Sequence, residues 1–176
     1  KVYGERSSGT TFLVELLKKN NIPQTETKCR VDRDKSKYYT ADWKHGLPNV
    51  DLKKKHKTLV DIVIFREINS WLVSMYKNPQ INMFKVKSNN FKDFLCQKKK
   101  NDSSWLNCED KTPINKDDDN KTIFEIRYYK FKEYEKYKNI NNNVIFVSLT
   151  YLQDESNCKK FLQAINDKYS LNIKNF

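Results

Sequence analysis

Apolar residues occur along this chain in two alternating patterns: short continuous runs, and longer segments in which they recur every three or four positions. The runs at 1–3, 58–65 and 143–149 contain many β-branched residues and predict strands, and a weaker run at 38–43 predicts another short strand. Residues 58–65 are apolar almost throughout, as expected of a strand covered on both faces. We therefore expect this strand to be central.

Segments with helical spacing follow the predicted strands. The first helix is expected to begin near Thr10 and to end at Asn20, and the later helices are expected at 68–76, 91–95, 123–137 and 158–169. Strands that alternate with helices predict an α/β fold with a mostly parallel central sheet and right-handed crossovers. The expected architecture is a three-layer αβα arrangement.

The length of the chain, 176 residues, suits a single domain with one core, so we assign residues 1–176 to one domain. Residues 97–120 are polar and charged and are the poorest in core-forming side chains. This segment is predicted to be an exposed insertion or lid.

The formal net charge of +12 predicts attraction to anions, whether nucleic acid, acidic lipid, phosphorylated donors or acidic glycans. A solvated surface and a biased genome composition account for the charge equally well. The lysine clusters at 53–55 and 98–100 fall in predicted loops without regularly interleaved aromatic residues, which argues against a specific nucleic-acid partner.

Metal-ligand patterns are absent from the sequence, which has four cysteines without a C-x-x-C pair and only two histidines, so no metal site is predicted. Cys96 and Cys108 would close a short loop in an oxidising compartment. Neither a leader nor an apolar run long enough to span a membrane is visible. This slightly favours a cytoplasmic location, which is otherwise left open because the sequence begins inside an apparent strand.

Between the first strand and the first helix, Gly4 and Gly9 have the spacing of the G-x-x-x-x-G part of a P-loop. Glycines let successive backbone N–H groups face one point, and the helix adds its positive end there, so the loop is predicted to bind an anion. The alternative is an ordinary turn and N-cap without a ligand. Thr10 stands where a triphosphate-binding lysine is expected, and Arg66 rather than a carboxylate follows the central strand, so magnesium independence is expected.

The segment Arg6-Ser7-Ser8-Gly9-Thr10-Thr11-Phe12 resembles the 5′-phosphosulfate loop of the sulfotransferase family. Arg66 and Ser74, eight positions apart, resemble the arginine and serine with which that family binds the donor's 3′-phosphate. Two looser similarities are found at 43–46 and 147–152.

The resemblance implies a P-loop NTPase-like sulfotransferase fold and the donor 3′-phosphoadenosine 5′-phosphosulfate (PAPS), with adenosine 3′,5′-bisphosphate (PAP) as product and no metal. It places a set of loop residues around the donor's 5′ end: Ser7, Ser8, Gly9, Thr10, Thr11 and Phe12. Arg66 and Ser74 would hold the 3′-phosphate, a role for which a guanidinium is well suited. Arg66 has an alternative role in a salt bridge to Glu67 or Asp61.

One position departs from the family, because the loop lysine that is expected to be catalytic falls on Ser7. Arg6 and Lys44 are the predicted substitutes that stabilise developing charge. His45 is the predicted proton acceptor, with a structural or surface histidine as the alternative and with Glu5 and Glu15 in reserve as carboxylate bases.

A late phosphate-binding motif of the family has no clear counterpart, and Arg127 and Lys130 are the candidates for its role. Core packing is preferred to substrate stacking for Trp43 and Trp71.

The resulting hypothesis is a sulfotransferase that moves a sulfuryl group from PAPS to a hydroxyl or amine acceptor, with a glycan as one candidate acceptor. A degenerate P-loop nucleotide kinase or NTPase is one alternative. A non-catalytic basic module that binds anions is another.

Overall fold

The computed structural model describes residues 1–5, 7–24, 60–77, 90–96 and 122–171, without the side chain of Ile126. Within these ranges the elements follow in the order β1 (Val2–Gly4), α1 (Thr10–Lys19), β2 (Asp61–Phe65), α2 (Ile68–Lys77), α3 (Phe91–Cys96), α4 (Ile123–Ile140), β3 (Val144–Ser148), α5 (Leu149–Gln153) and α6 (Glu155–Tyr169). The predicted strand at 38–43 and the predicted insertion at 97–120 lie outside the described residues.

The described strands form a parallel sheet in the order β1-β2-β3. Val63 of β2 is in register with Tyr3 on one side and with Phe146 on the other. The central position predicted for the strand at 58–65 is therefore confirmed for its described part, Asp61–Phe65, as are the α/β class and the parallel sheet of the described strands.

Helices pack on both faces of this sheet because successive side chains of a strand point to opposite faces. On one face, Ile62 and Ile64 lie in a core with side chains of α1, α5 and α6. On the other face, Tyr3 and Val63 pack against Tyr134 and Tyr137 of α4. The arrangement of the described elements is compatible with three αβα layers.

A further apolar cluster joins α2, α3 and the start of α4, and its buried members are Trp71, Leu72, Met75, Phe94 and Ile123. Trp71 is only 3% exposed, which agrees with the core role predicted for it. Trp43 lies outside the described residues.

Capping residues set the starts of the longer helices. Thr122 and Glu125 form a reciprocal capping box at the start of α4, which runs beyond its predicted end to Ile140. The Asp154 carboxylate accepts a hydrogen bond from the Asn157 backbone N–H at 2.8 Å, so α6 begins before its predicted start. Leu149 was predicted to end the last strand but begins α5 instead.

None of the helices in the described ranges is long and apolar enough to cross a membrane. Cys96 lies exposed at the end of α3. Its predicted partner Cys108 lies outside the described residues, so that pairing stays a prediction.

Candidate anion-binding site

The segments that follow the three described strands meet at one edge of the sheet. The Arg66 guanidinium, directly after β2, donates a hydrogen bond from Nη1 to the Ser7 carbonyl oxygen in the loop after β1, at 3.4 Å. A Cβ placed on Gly9 would lie 2.7 Å from Cδ1 of Leu149, which follows β3. The carboxyl edge of a parallel sheet is where such folds bind ligands.

The loop after β1 is a tight turn that uses left-handed backbone conformations. Ser7 has φ 59° and Gly9 has φ 101°. The Ser8 backbone N–H donates to the Glu5 carbonyl oxygen at 3.2 Å, and the Ser8 hydroxyl donates to the same oxygen at 2.6 Å. The backbone and the side chain of Ser8 thus both hold the loop in this turn.

Gly4 has a packing reason for being glycine. A Cβ at this position would overlap the Ile64 carbonyl oxygen and would lie 2.6 Å from the Ser8 hydroxyl oxygen. The absence of a side chain therefore lets β1 approach β2 while the loop folds back over it. The packing of the turn therefore gives a reason of its own for glycine at Gly4 and Gly9, whose spacing resembles that of a P-loop.

The N-terminus of α1 opens onto the loop. Gly9 is the N-cap residue and has no side chain to cap the helix, and α1, which is described throughout, has no acidic residue in its first turn. Lys18 and Lys19 lie in the last turn, where cations are favoured. The partial positive charge of the first turn therefore faces the loop without an acidic side chain of α1 to offset it.

The predicted donor-binding residues differ in how accessible they are. Ser8 and Thr10 are buried, Ser7 and Gly9 are half-buried, and Thr11 and Phe12 are exposed. An external anion could therefore reach Ser7, Thr11 and the backbone near Gly9, whereas the Ser8 hydroxyl is directed into the loop.

The remaining predicted site residues fall into two groups. Arg66 is half-buried at the carboxyl edge, and Ser74 is half-buried on α2. Arg6, Lys44 and His45, the predicted catalytic residues, lie outside the described residues.

Asp61 is not a partner for Arg66, because Asp61 begins β2 and Arg66 directly follows its last residue, which puts their Cα atoms roughly 16 Å apart. The buried Asp61 carboxylate instead accepts a hydrogen bond from the Tyr137 hydroxyl at 2.5 Å. The alternative prediction of a salt bridge between Arg66 and Asp61 is therefore wrong.

Arg127 of α4 is half-buried and contacts residues that follow β1 and β2. Its Nη2 donates to the Arg66 carbonyl oxygen at 2.6 Å, and its Nη1 lies 3.4 Å from Oε2 of Glu5. The guanidinium carbon lies 4.4 Å from the ring centroid of Trp71 and 5.1 Å from that of Phe131. The two side chains of the ion pair are only 11% and 4% exposed, for Arg127 and Glu5 respectively.

Burial dominates the electrostatics of this pair. It raises the pKa of Glu5 to about 7, although the positive charges of Arg127 and Lys130 act in the opposite direction. Burial also lowers the pKa of Arg127, against the effect of Glu5 and Glu67. A carboxyl group with a pKa of about 7 thus lies at the start of the loop.

The sequence indicates Glu5 only as a second-choice base, and it indicates Arg127 as a candidate for direct phosphate binding. Two aromatic residues are the sequence features that could have indicated that the Arg127 guanidinium packs against rings: Phe131, one helical turn after Arg127, and Trp71 on α2. The burial itself depends on contacts between residues far apart in the chain, which no local pattern reveals.

Comparisons of the chain with protein-family models, with curated proteins and with solved structures found no match. Among the described residues, no group of three or more histidine, cysteine or acidic side chains is placed to hold a metal ion.

Proposed function

We propose that this chain binds PAPS at the carboxyl edge of its sheet and transfers the sulfuryl group to a hydroxyl or amine acceptor. The observation that carries the proposal is the hydrogen bond from Arg66 Nη1 to the Ser7 carbonyl oxygen. It brings together two segments that resemble the 5′- and 3′-phosphate-binding elements of sulfotransferases, although 59 positions separate them.

The described residues fit a phosphorylated donor. The first turn of α1 offers backbone N–H groups and carries no acidic residue, so it favours an anion at the loop. A guanidinium has five N–H donors, so Arg66 can bind a phosphate while one N–H remains on Ser7. In this proposal Ser7 and Thr11 contact the 5′ end, and Arg66 with Ser74 contacts the 3′-phosphate.

When bound, PAPS supplies the sulfuryl group, and adenosine 3′,5′-bisphosphate is the leaving group. The acceptor oxygen or nitrogen forms a bond to sulfur, the bond from sulfur to the bridging oxygen breaks, and the acceptor loses a proton. We assign stabilisation of the negative charge on the bridging oxygen to Arg6 and Lys44, and acceptance of the proton to His45. Since the loop lacks a lysine at Ser7, donor binding and catalysis need separate tests.

Calorimetric titration of the chain with adenosine 3′,5′-bisphosphate and with ATP, each with and without magnesium, tests donor binding. We expect magnesium-independent binding of the bisphosphate. Arg66→Ala should weaken it by roughly 10- to 100-fold, the range for a charged hydrogen-bond donor. Lys77→Ala removes an exposed positive charge from the end of α2 and should leave the affinity within about twofold. A preference for magnesium-ATP would instead favour the P-loop kinase or NTPase alternative.

Transfer of radiolabelled sulfate from PAPS to a panel of hydroxyl- and amine-bearing acceptors, including acidic glycans, tests catalysis. Transfer that His45→Ala abolishes would support the enzyme assignment and the proposed base. Binding of the bisphosphate without transfer to any acceptor would favour the non-catalytic anion-binding module.

A further inference from the structure

Arg127 links three parts of the carboxyl edge through one side chain. Its guanidinium contacts Glu5 after β1, the backbone of Arg66 after β2, and the ring of Trp71 on α2. The Arg66 side chain in turn donates to Ser7. Glu5, Arg127, Arg66 and Ser7 therefore form a continuous chain of contacts, which we call the arginine bridge.

The arginine bridge contacts both predicted phosphate-binding segments. Arg127 Nη2 donates the 2.6 Å hydrogen bond to the Arg66 backbone, and Arg127 Nη1 lies 3.4 Å from the Glu5 carboxylate at the start of the loop. A guanidinium suits this place because it is planar, donates in several fixed directions and stacks on aromatic rings. A lysine ammonium offers neither the planar fork nor the stacking.

Burial separates this role from direct binding. The Arg127 side chain is 11% exposed, and its described contacts are with Glu5, the Arg66 carbonyl and the rings of Trp71 and Phe131. An anion above the loop would contact Arg66 and the loop backbone rather than this enclosed guanidinium. Arg127 is therefore placed to affect such an anion through Arg66 and not by direct contact.

We propose that Arg127 is a positioning residue that holds the Arg66 guanidinium against the Gly4–Thr11 loop and thereby prepares the donor site. The inference rests on the proposed function for its ligand, a 3′,5′-bisphosphorylated nucleoside. Its rival is a purely structural role, in which Arg127 only neutralises the buried Glu5 carboxylate.

A set of variants separates the two roles, with binding of adenosine 3′,5′-bisphosphate measured by calorimetry. Arg127→Met should weaken binding by at least about tenfold, because Arg66 loses the donor to its carbonyl. Arg66→Ala combined with Arg127→Met should bind no more weakly than Arg66→Ala alone, since the two residues act through one contact. Lys132→Met, which removes an exposed positive charge from the same helix, is the matched control and should have little effect.

The double variant Glu5→Gln with Arg127→Met is the control for folding, because it removes both charges of the Glu5–Arg127 pair together. This double variant should fold but should still bind the bisphosphate at least about tenfold more weakly than the wild type. Arg127→Lys should fail to restore full affinity. Recovery of wild-type affinity in the double variant, or additive losses for Arg66→Ala and Arg127→Met, would overturn the positioning role.

Hydrogen–deuterium exchange of the loop provides a readout that needs no ligand. Against the Glu5→Gln single variant, the double variant should exchange faster in the Gly4–Thr11 segment, and Lys132→Met should match the wild type. If the wild type does not bind the bisphosphate, the proposed function fails while this comparison still decides the positioning role. Unchanged exchange in the double variant would overturn it.

Discussion

Arg127 donates from Nη2 to the carbonyl oxygen of Arg66 at 2.6 Å, across 61 positions of the chain. The contact joins the long helix α4 to the end of the central strand at the edge where the loop after β1 also lies. Because the same guanidinium pairs with Glu5, the charge state of one buried carboxyl group affects how these segments are held together. This edge therefore governs both the predicted ligand site and part of the stability of the fold.

Stability should fall as the pH rises from about 4.5 to about 7 because of Glu5. Burial raises the pKa of Glu5 from 4.5 in the unfolded chain to about 7 in the folded chain. The folded state therefore binds more protons than the unfolded state within this window, and the contribution of Glu5 is lost as the pH rises through the folded pKa. At about 1.4 kcal/mol for each unit of pKa shift, the full loss is on the order of 3 kcal/mol.

Urea denaturation at pH 5 and pH 7.5 measures this effect. Glu5→Gln should show a smaller decrease in the free energy of unfolding between the two pH values than the wild type. Glu15→Gln alters an exposed carboxylate that pairs with Lys18 on α1, and it should keep the wild-type pH dependence. Equal decreases in the wild type and Glu5→Gln would contradict the assignment.

Gly9→Ala should destabilise the protein by about 1 to 3 kcal/mol. Gly9 has φ 101°, and its new Cβ would lie 2.7 Å from Cδ1 of Leu149. The positive φ causes backbone strain in an alanine, and the short distance to Leu149 is a clash with the end of a movable side chain. The free energy of unfolding from urea titrations provides the measurement.

Leu149→Ala separates the two contributions at Gly9. In that background the clash is removed, so adding Gly9→Ala should cost only about 1 kcal/mol, the part due to the left-handed backbone. A cost in the Leu149→Ala background as large as in the wild type would assign the whole effect to backbone strain.

Tyr137→Phe should cost about 1 to 3 kcal/mol, because it removes a donor from the buried Asp61 carboxylate. The Tyr137 hydroxyl lies 2.5 Å from Oδ2 of Asp61 and also accepts a hydrogen bond from the Asn141 amide at 3.0 Å. Tyr128→Phe removes a hydroxyl from a residue on the same helix that is 66% exposed, and its effect should be near zero. Thermal or urea unfolding compares the two, and equal stabilities would show that the buried hydrogen bond contributes little.

The sequence was sufficient for features that depend on local hydrophobic pattern. Residues 58–65 predicted a central strand because a strand covered on both faces needs apolar side chains in succession, and β2 occupies that position. The short helix around Phe91 and the turn between β1 and α1 also followed from spacing and glycines.

Features that depend on hydrogen bonds or on distant contacts could not be predicted in this way. The apolar run continues from β3 into α5, so hydrophobicity does not indicate that the strand ends before Leu149. A glutamate next to glycine in a loop is usually exposed, yet Glu5 is 3% exposed because Arg127, on a helix far along the chain, covers and pairs with it. Such a pair leaves no trace in a local window of sequence.

Ser7→Lys tests whether a cation at this loop position promotes catalysis. Ser7 is half-buried in the loop, and its backbone carbonyl already accepts the hydrogen bond from Arg66, so a longer side chain leaves that contact in place. Under the proposed function, the lysine would add a cation beside the bridging oxygen, and the rate of sulfate transfer from radiolabelled PAPS should rise by about tenfold or more. Ser7→Met adds comparable length without charge and has the same left-handed backbone to adopt, so it controls for strain at φ 59°. A Ser7→Lys variant that is no faster than Ser7→Met would show that the loop position does not stabilise the leaving group.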